Sequence, residues 1–206
     1  RHSFPTRRSS DLAFLPQLEK VLPLDLTIEC MVAPVIKDSS ACTPADWLQL
    51  VQFIQQLQLQ QFQHFVIIHG TDTLSYASAI LSRFLGQSAH VVLTGSQYPL
   101  LNVEGSDTRE FTDAIDNLNF ALHAVHTQPV GVYLAFHQQL LHGRSVLKQH
   151  TTELDAFAGL NSQQELSHPS PAYLVKAEDL IKADQFNCLN LIMQPIALDQ
   201  QLLNLQ

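Results

Sequence analysis

From Ala13 onward the chain alternates short aliphatic runs with longer stretches whose apolar positions recur every three or four residues. Residues 24–31 (LDLTIECM), 65–68 (FVII), 90–93 (HVVL) and 130–136 (VGVYLAF) have the length and β-branched content of strands. Helical patterns fall between them. Thr43-Pro44-Ala45-Asp46 opens the first: threonine is a good N-cap, proline suits the first helical position, and Asp46 places negative charge in the first turn. Trp47, Leu48, Val51, Ile54 and Leu57 form its apolar stripe, while Gln52, Gln55, Gln56 and Gln60 read as a solvated face. A second helix is predicted over 74–85, ended by Gly86. A third is predicted over about 108–124, with Phe111, Ile115, Leu118 and Leu122 on one side.

Continuous aliphatic strands separated by helices predict parallel β-α-β units covered on both faces: a doubly wound parallel α/β sheet, with right-handed crossovers. After Gly159 the pattern weakens through NSQQELSHPSP. Residues 172–175 (AYLV) and 188–193 (CLNLIM) are further strand candidates. The expected organisation is a main α/β domain over 13–165, a connection over 166–187, and over 188–206 the truncated start of a second, smaller α/β domain. Residues 1–12 (RHSFPTRRSSDL) stand apart, with three of the eleven basic residues. They resemble the conceptual translation of a sequencing-library adapter and are read as foreign to the protein, in preference to a basic, Ser-rich targeting peptide.

Charge narrows the partners. The 206 residues carry 11 basic and 19 acidic side chains, a formal −8, with no Lys/Arg cluster after residue 8, which argues against nucleic acid and anionic membranes. Aliphatic runs fall far short of the roughly 20 residues a membrane span needs. Cys30, Cys42 and Cys188 are too dispersed for a zinc site or a disulfide framework, and read as thiols in a reducing compartment.

In an open parallel sheet, ligands bind beyond the strand C-termini. Three polar clusters fall there: Lys37-Asp38-Ser39-Ser40, His69-Gly70-Thr71-Asp72-Thr73 and Thr94-Gly95-Ser96-Gln97. Any one alone is explained by helix capping. Three in consecutive crossovers point instead to a binding crevice, where helix N-termini offer N–H groups to a carboxylate or an oxyanion. Other chemistries lack their signatures: there is no G-x-G-x-x-G, no P-loop and no G-x-S-x-G. His123 and His126, at i and i+3, read as a surface pair.

HGTDTLSYAS followed by VVLTGSQYPL resembles the second signature of the bacterial-type L-asparaginases. DSSACTPADW resembles the D-S-S-x-x-T-P-x-D-W segment of their type I, cytoplasmic branch. TDAIDNLNFAL and HGRSVLKQHTTELDAFAG are similar to the family's D-A-x-x-N-L helix and its lysine-bearing loop. The resemblance runs in order from about Ala13 to Gly159. It implies hydrolysis of the L-asparagine side-chain amide to aspartate and ammonia, without metal or organic cofactor, by a cytoplasmic homo-oligomer. By position it makes Thr71, Asp72 and Lys148 the catalytic group. Asp38, Ser39 and Ser40 become the segment that holds the substrate's α-amino and α-carboxylate groups, joined by Thr71 and Asp72. Ser96 falls where the backbone meets the reacting amide. Chemically, a threonine hydroxyl needs a neighbouring base or charge to act. Burial lowers a lysine pKa and a carboxylate neighbour raises it, and the sequence leaves both open for Lys148.

Departures from the family pattern also count. Its T-G-G-T-I segment with the other catalytic threonine, its mobile tyrosine loop and most of its C-terminal domain have no counterpart here, and the insert at 104–107 is long. The polypeptide is therefore read as a fragment without turnover of its own. Two readings stay open: an amidohydrolase, or a non-catalytic asparaginase-like module that binds Asn or Asp or serves as part of an amidotransferase.

Overall fold

The computed structural model describes residues 28–101, 109–164, 166 and 171–185. Helix α1 (Pro44–Leu59) starts where the sequence predicts. Thr43 Oγ1 accepts from the Asp46 amide and the Asp46 carboxylate accepts from the Thr43 amide, a reciprocal capping box. The predicted stripe of Trp47, Leu48, Val51, Ile54 and Leu57 is buried throughout. Strand β1 (His64–Ile68) leads to α2 (Leu74–Leu85), which Gly86 ends with a left-handed φ of 52°. Strand β2 (His90–Thr94), helix α3 (Ala114–Thr127) and strand β3 (Gly131–Phe136) follow.

These three strands are parallel neighbours in the order β1-β2-β3, with His64 opposite His90 and His90 opposite Gly131. Val91, Leu93, Val132 and Leu134 pack with α1 and with Leu74, Ala77 and Leu81 of α2. Val92, Tyr133 and Ala135, on the other face, pack with Ala121, Ala124 and Val125 of α3. Both crossovers step in the same direction, so right-handed connections would put α2 and α3 on one face. They lie on opposite faces, and one crossover is therefore left-handed, against a rule that holds in roughly 98% of cases. Strands apolar on both faces need cover on both. Here α1 and α2 cover one face and α3 the other.

The sheet is not wholly parallel. Strand β4 (Gln139–His142) returns antiparallel to β3 through His137 and Gln138, at φ 46° and 59°. Two positive φ values make the turn type that suits a two-residue hairpin, without the Asn-Gly or Asp-Gly that announces it in a sequence. A short hairpin of β5 (Leu147–Lys148) and β6 (Phe157–Ala158) follows.

Other expectations need correction. The third helix begins at Ala114 and leaves Phe111 60% exposed, because 109–113 have other partners. The Arg109 amide bonds to the Leu100 carbonyl, and the Asp113 carboxylate accepts the amides of Gln97 and Tyr98. Residues 28–31 form no strand, although Ile28 and Cys30 lean on Leu118 and Leu122; 24–27 lie outside the described residues. Residues 172–175 join no strand among the described residues. Gln55, expected on a solvated face, holds them by accepting from the Val175 amide and donating to the Tyr173 carbonyl. An unforeseen helix α4 (Ala177–Asp184) comes next, and 188–193 lie outside the described residues. No helix among the described residues is long and apolar enough to cross a membrane.

Candidate active site

Beyond the C-termini of β1 and β2, two glycines let three loops stack on one another. A Cβ on Gly95 would press into the His69 carbonyl oxygen, and one on Gly70 into the Ser39 hydroxyl. Thr73 occupies the N-cap of α2 but makes no side-chain cap. Its hydroxyl donates instead to the Ser39 carbonyl at 2.7 Å. The Asp38–Ser40 loop is thereby tied to the Thr71–Thr73 turn, and the start of α2 carries no side-chain cap.

Lys148 reaches this turn from β5, 77 positions along the chain from Thr71. Its Nζ donates to Thr71 Oγ1 at 3.0 Å and to Asp72 Oδ1 at 3.0 Å. The lysine side chain is 15% exposed and that of Asp72 is 61% exposed, so the ammonium is sheltered while the carboxylate faces solvent. A hydroxyl, an ammonium and a carboxylate in contact have the chemical make-up that proton transfer to and from an oxygen requires.

His69, the neighbouring imidazole, is excluded as a base by its partners. The Trp47 indole can only donate, and its Nε1 lies 3.3 Å from His69 Nε2. Nε2 therefore accepts, and Nδ1–H donates to the Gly70 carbonyl at 2.8 Å. Burial pushes the His69 pKa below its ordinary value, against the opposing effect of the Gly70 bond. The ring is a neutral brace with both nitrogens engaged.

Asp38 stands at the start of a 3₁₀ turn (Ser39–Ala41), and its carboxylate accepts from the Ser40 hydroxyl at 2.6 Å and the Ser40 amide at 2.9 Å. Those bonds, side chain first, lower its pKa. Asp38 and Ser40 are exposed and Ser39 is buried. Ser96 lines a cavity of about 410 Å³ with Gly70, Thr94 and Gly95. Among the described residues no hydrogen bond joins Ser96 to Thr71, Asp72 or Lys148. The structure thus gathers Thr71, Asp72 and Lys148 in direct contact, sets the Asp38–Ser40 turn against them through Gly70 and Thr73, and leaves Ser96 on the crevice wall.

Sequence reasoning assigns no role to the residues behind this wall. Buried Asn117 donates to the Gly95 carbonyl and to Asp113, both at 3.0 Å, and accepts from the His137 amide at 2.8 Å. Its available signal is polarity inside an apolar helical stripe: an asparagine just before Leu118. Among the described residues, no group of three or more His, Cys, Asp or Glu side chains is arranged to hold a metal ion.

A family model described as "Asparaginase, N-terminal" matches residues 6–168. The chain belongs to the asparaginase family. Over 152 residues, 73% of this chain, it is 34% identical to L-asparaginase 1 of Escherichia coli K12, of which the match covers 42%. A glutamyl-tRNA(Gln) amidotransferase subunit of Nanoarchaeum equitans is 27% identical over 157 residues, covering 72% of this chain and 38% of that protein. The crystal structure of a probable cytoplasmic L-asparaginase from Campylobacter jejuni superposes with a TM-score of 0.53 at 29% identity, over 60% of this chain and 39% of that one. The chain thus spans less than half the length of these relatives.

Proposed function

We propose that the protein carrying this chain hydrolyses the side-chain amide of L-asparagine to L-aspartate and ammonia, and that Thr71, Asp72 and Lys148 perform proton transfer and attack. One observation carries the reading: Lys148 Nζ touches both Thr71 Oγ1 and Asp72 Oδ1 at 3.0 Å. With one proton held on Asp72, the Lys148 lone pair takes the hydroxyl proton of Thr71 as Oγ1 attacks the amide carbon, and passes it to the departing ammonia. A water then attacks the acyl-threonine, giving one proton through Lys148 back to Oγ1 as aspartate leaves, and Asp72 returns its proton to Lys148. The start of α2, which has no side-chain cap, is suited to negative charge that develops on the amide oxygen. Asp38, Ser39 and Ser40, tied to this turn, hold the α-amino and α-carboxylate ends of the substrate, and Ser96 borders the amide. The reaction needs no cofactor, and the assembled enzyme is a cytoplasmic homo-oligomer.

Thr71→Val in a chain extended to the length of its relatives tests this. Hydrolysis, read as ammonia release, is expected to fall by about three orders of magnitude or more with the fold intact. Retained turnover removes Thr71 from the chemistry. The relative named as an amidotransferase subunit supports a second reading, in which the module serves a larger assembly. Asparaginase activity without a partner protein decides for the first reading, and activity only when a partner is added decides for the second.

A further inference from the structure

Lys148 is held by little of its own secondary structure. Its strand has two residues, paired only with Phe157 and Ala158, and beyond it the amides of Gln149 and His150 share the Ala156 carbonyl. Phe157 anchors the base of the hairpin in the core, edge-on to Phe136. The tip is held from outside. Gln97 Nε2 donates to the Thr151 carbonyl at 3.1 Å and the Glu153 carbonyl at 2.8 Å, and Gln139 donates to Asp155 at 2.9 Å.

Gln97 is fixed in turn. Its amide donates to Asp113 Oδ2 at 3.0 Å, and the other carboxylate oxygen takes the Tyr98 amide at 2.9 Å. Asn117 holds both Asp113 and the Gly95 carbonyl. A continuous set of bonds therefore runs from a buried asparagine through the loop that bears Ser96 to the tip of the lysine hairpin. Both N–H groups of one amide are spent on two carbonyls of a segment more than fifty positions away.

We infer that Gln97 is a positioning residue, clasping the tip of the β5–β6 hairpin so that the Lys148 ammonium stays on Thr71 and Asp72. The inference rests on the proposed function for its kinetic consequence but not for its mechanical one. Among the described residues no hydrogen bond joins Gln97 to Lys148; it acts through the hairpin. Without the clasp the hairpin pivots about its two-residue neck. An ångström of drift at a reacting group lowers a rate by as much as about a hundredfold.

The test is Gln97→Met, which keeps length and removes both donors, beside Gln97→Lys, which restores a donor at similar reach. Amide hydrogen exchange and steady-state hydrolysis are measured on the chain extended to the length of its relatives. In Gln97→Met, the Gln149 and His150 amides are expected to exchange at least about tenfold faster, with kcat down about tenfold and KM within about twofold. Gln97→Lys is expected to recover most of both changes. Unchanged exchange at Gln149 and His150 overturns the clasp, as does faster exchange with kcat intact in an active parent. Faster exchange in a parent that hydrolyses no amide supports the clasp and removes the amidase reading instead.

Discussion

The two ends of the β1–β2 pair are furnished with different chemistry. At the C-terminal rim three loops meet, two of them at glycines, and groups of unlike character are pressed together: hydroxyl, ammonium and carboxylate. At the N-terminal rim three like groups are stacked. The His64 ring lies 4.4 Å from that of His90 and 5.0 Å from that of His126, which comes from the last turn of α3. The first rim brings opposite charges together, while the second stacks rings around His64, whose pKa desolvation and its neighbours lower. The same sheet thus carries different chemistry at its two ends, and each is open to a different kind of perturbation.

The largest expected effect is steric and strikes the first rim. Gly95→Ala would drive a methyl group into the His69 carbonyl oxygen, a backbone atom fixed by the adjoining His69 amide bond to Thr94. The loop cannot yield without breaking that ladder, and a loss of about 3 kcal/mol is expected from urea unfolding. A loss below about 1 kcal/mol would show that the loops of this rim are not locked together.

A smaller effect separates chemistry from stability at the same place. Lys148→Met removes the ammonium from Thr71 and Asp72. Asp72 is largely in water, so the ion pair is worth at most about 1 kcal/mol. The unfolding midpoint is expected to move little while ammonia release collapses. A large drop in stability would recast the Lys148 contact as a structural strut.

What the sequence reveals about these rims follows the range of the interactions. Helices α1 and α2 are legible to the residue or nearly so because their caps and stripes are local: Thr43 with Asp46, Gly86 after Leu85. The start of helix α3 is read from sequence as about 108 instead of Ala114 because the residues before it are held by distant partners: the Arg109 amide by the Leu100 carbonyl, and the Asp113 carboxylate by the Gln97 and Tyr98 amides across a loop. Gln55 looks solvated because its partners lie 118 and 120 positions away. Handedness of the crossovers is a global property with no local trace. At the site, Thr71 and Asp72 are visible as excess polar groups after an apolar strand. Lys148 is visible only through resemblance to a known loop, since nothing in its neighbourhood says which turn it reaches.

The histidine rim gives the smallest effect and the one whose sign is most informative. Desolvation beneath its neighbours, followed by the charges of His90 and His126, pushes the His64 pKa below its ordinary value. An unfolded chain has no such penalty and binds the proton near pH 6.5. Above that pH both states are neutral and the contribution to stability is complete. As pH falls through about 6.5 the unfolded state takes up the proton first, so stability declines until the folded ring also titrates. His69 acts in the same direction from the other rim, because burial holds its pKa below the ordinary value too. Asp38 and Asp46, whose pKa values are lowered, contribute only to losses further down, below about pH 4. Urea midpoints measured between pH 7.5 and 5 are therefore expected to fall with acid, and His64→Gln is expected to flatten that slope while leaving the part due to His69. An unaltered slope in His64→Gln would assign the whole acid response to the site rim and leave the stack a packing feature without electrostatic consequence.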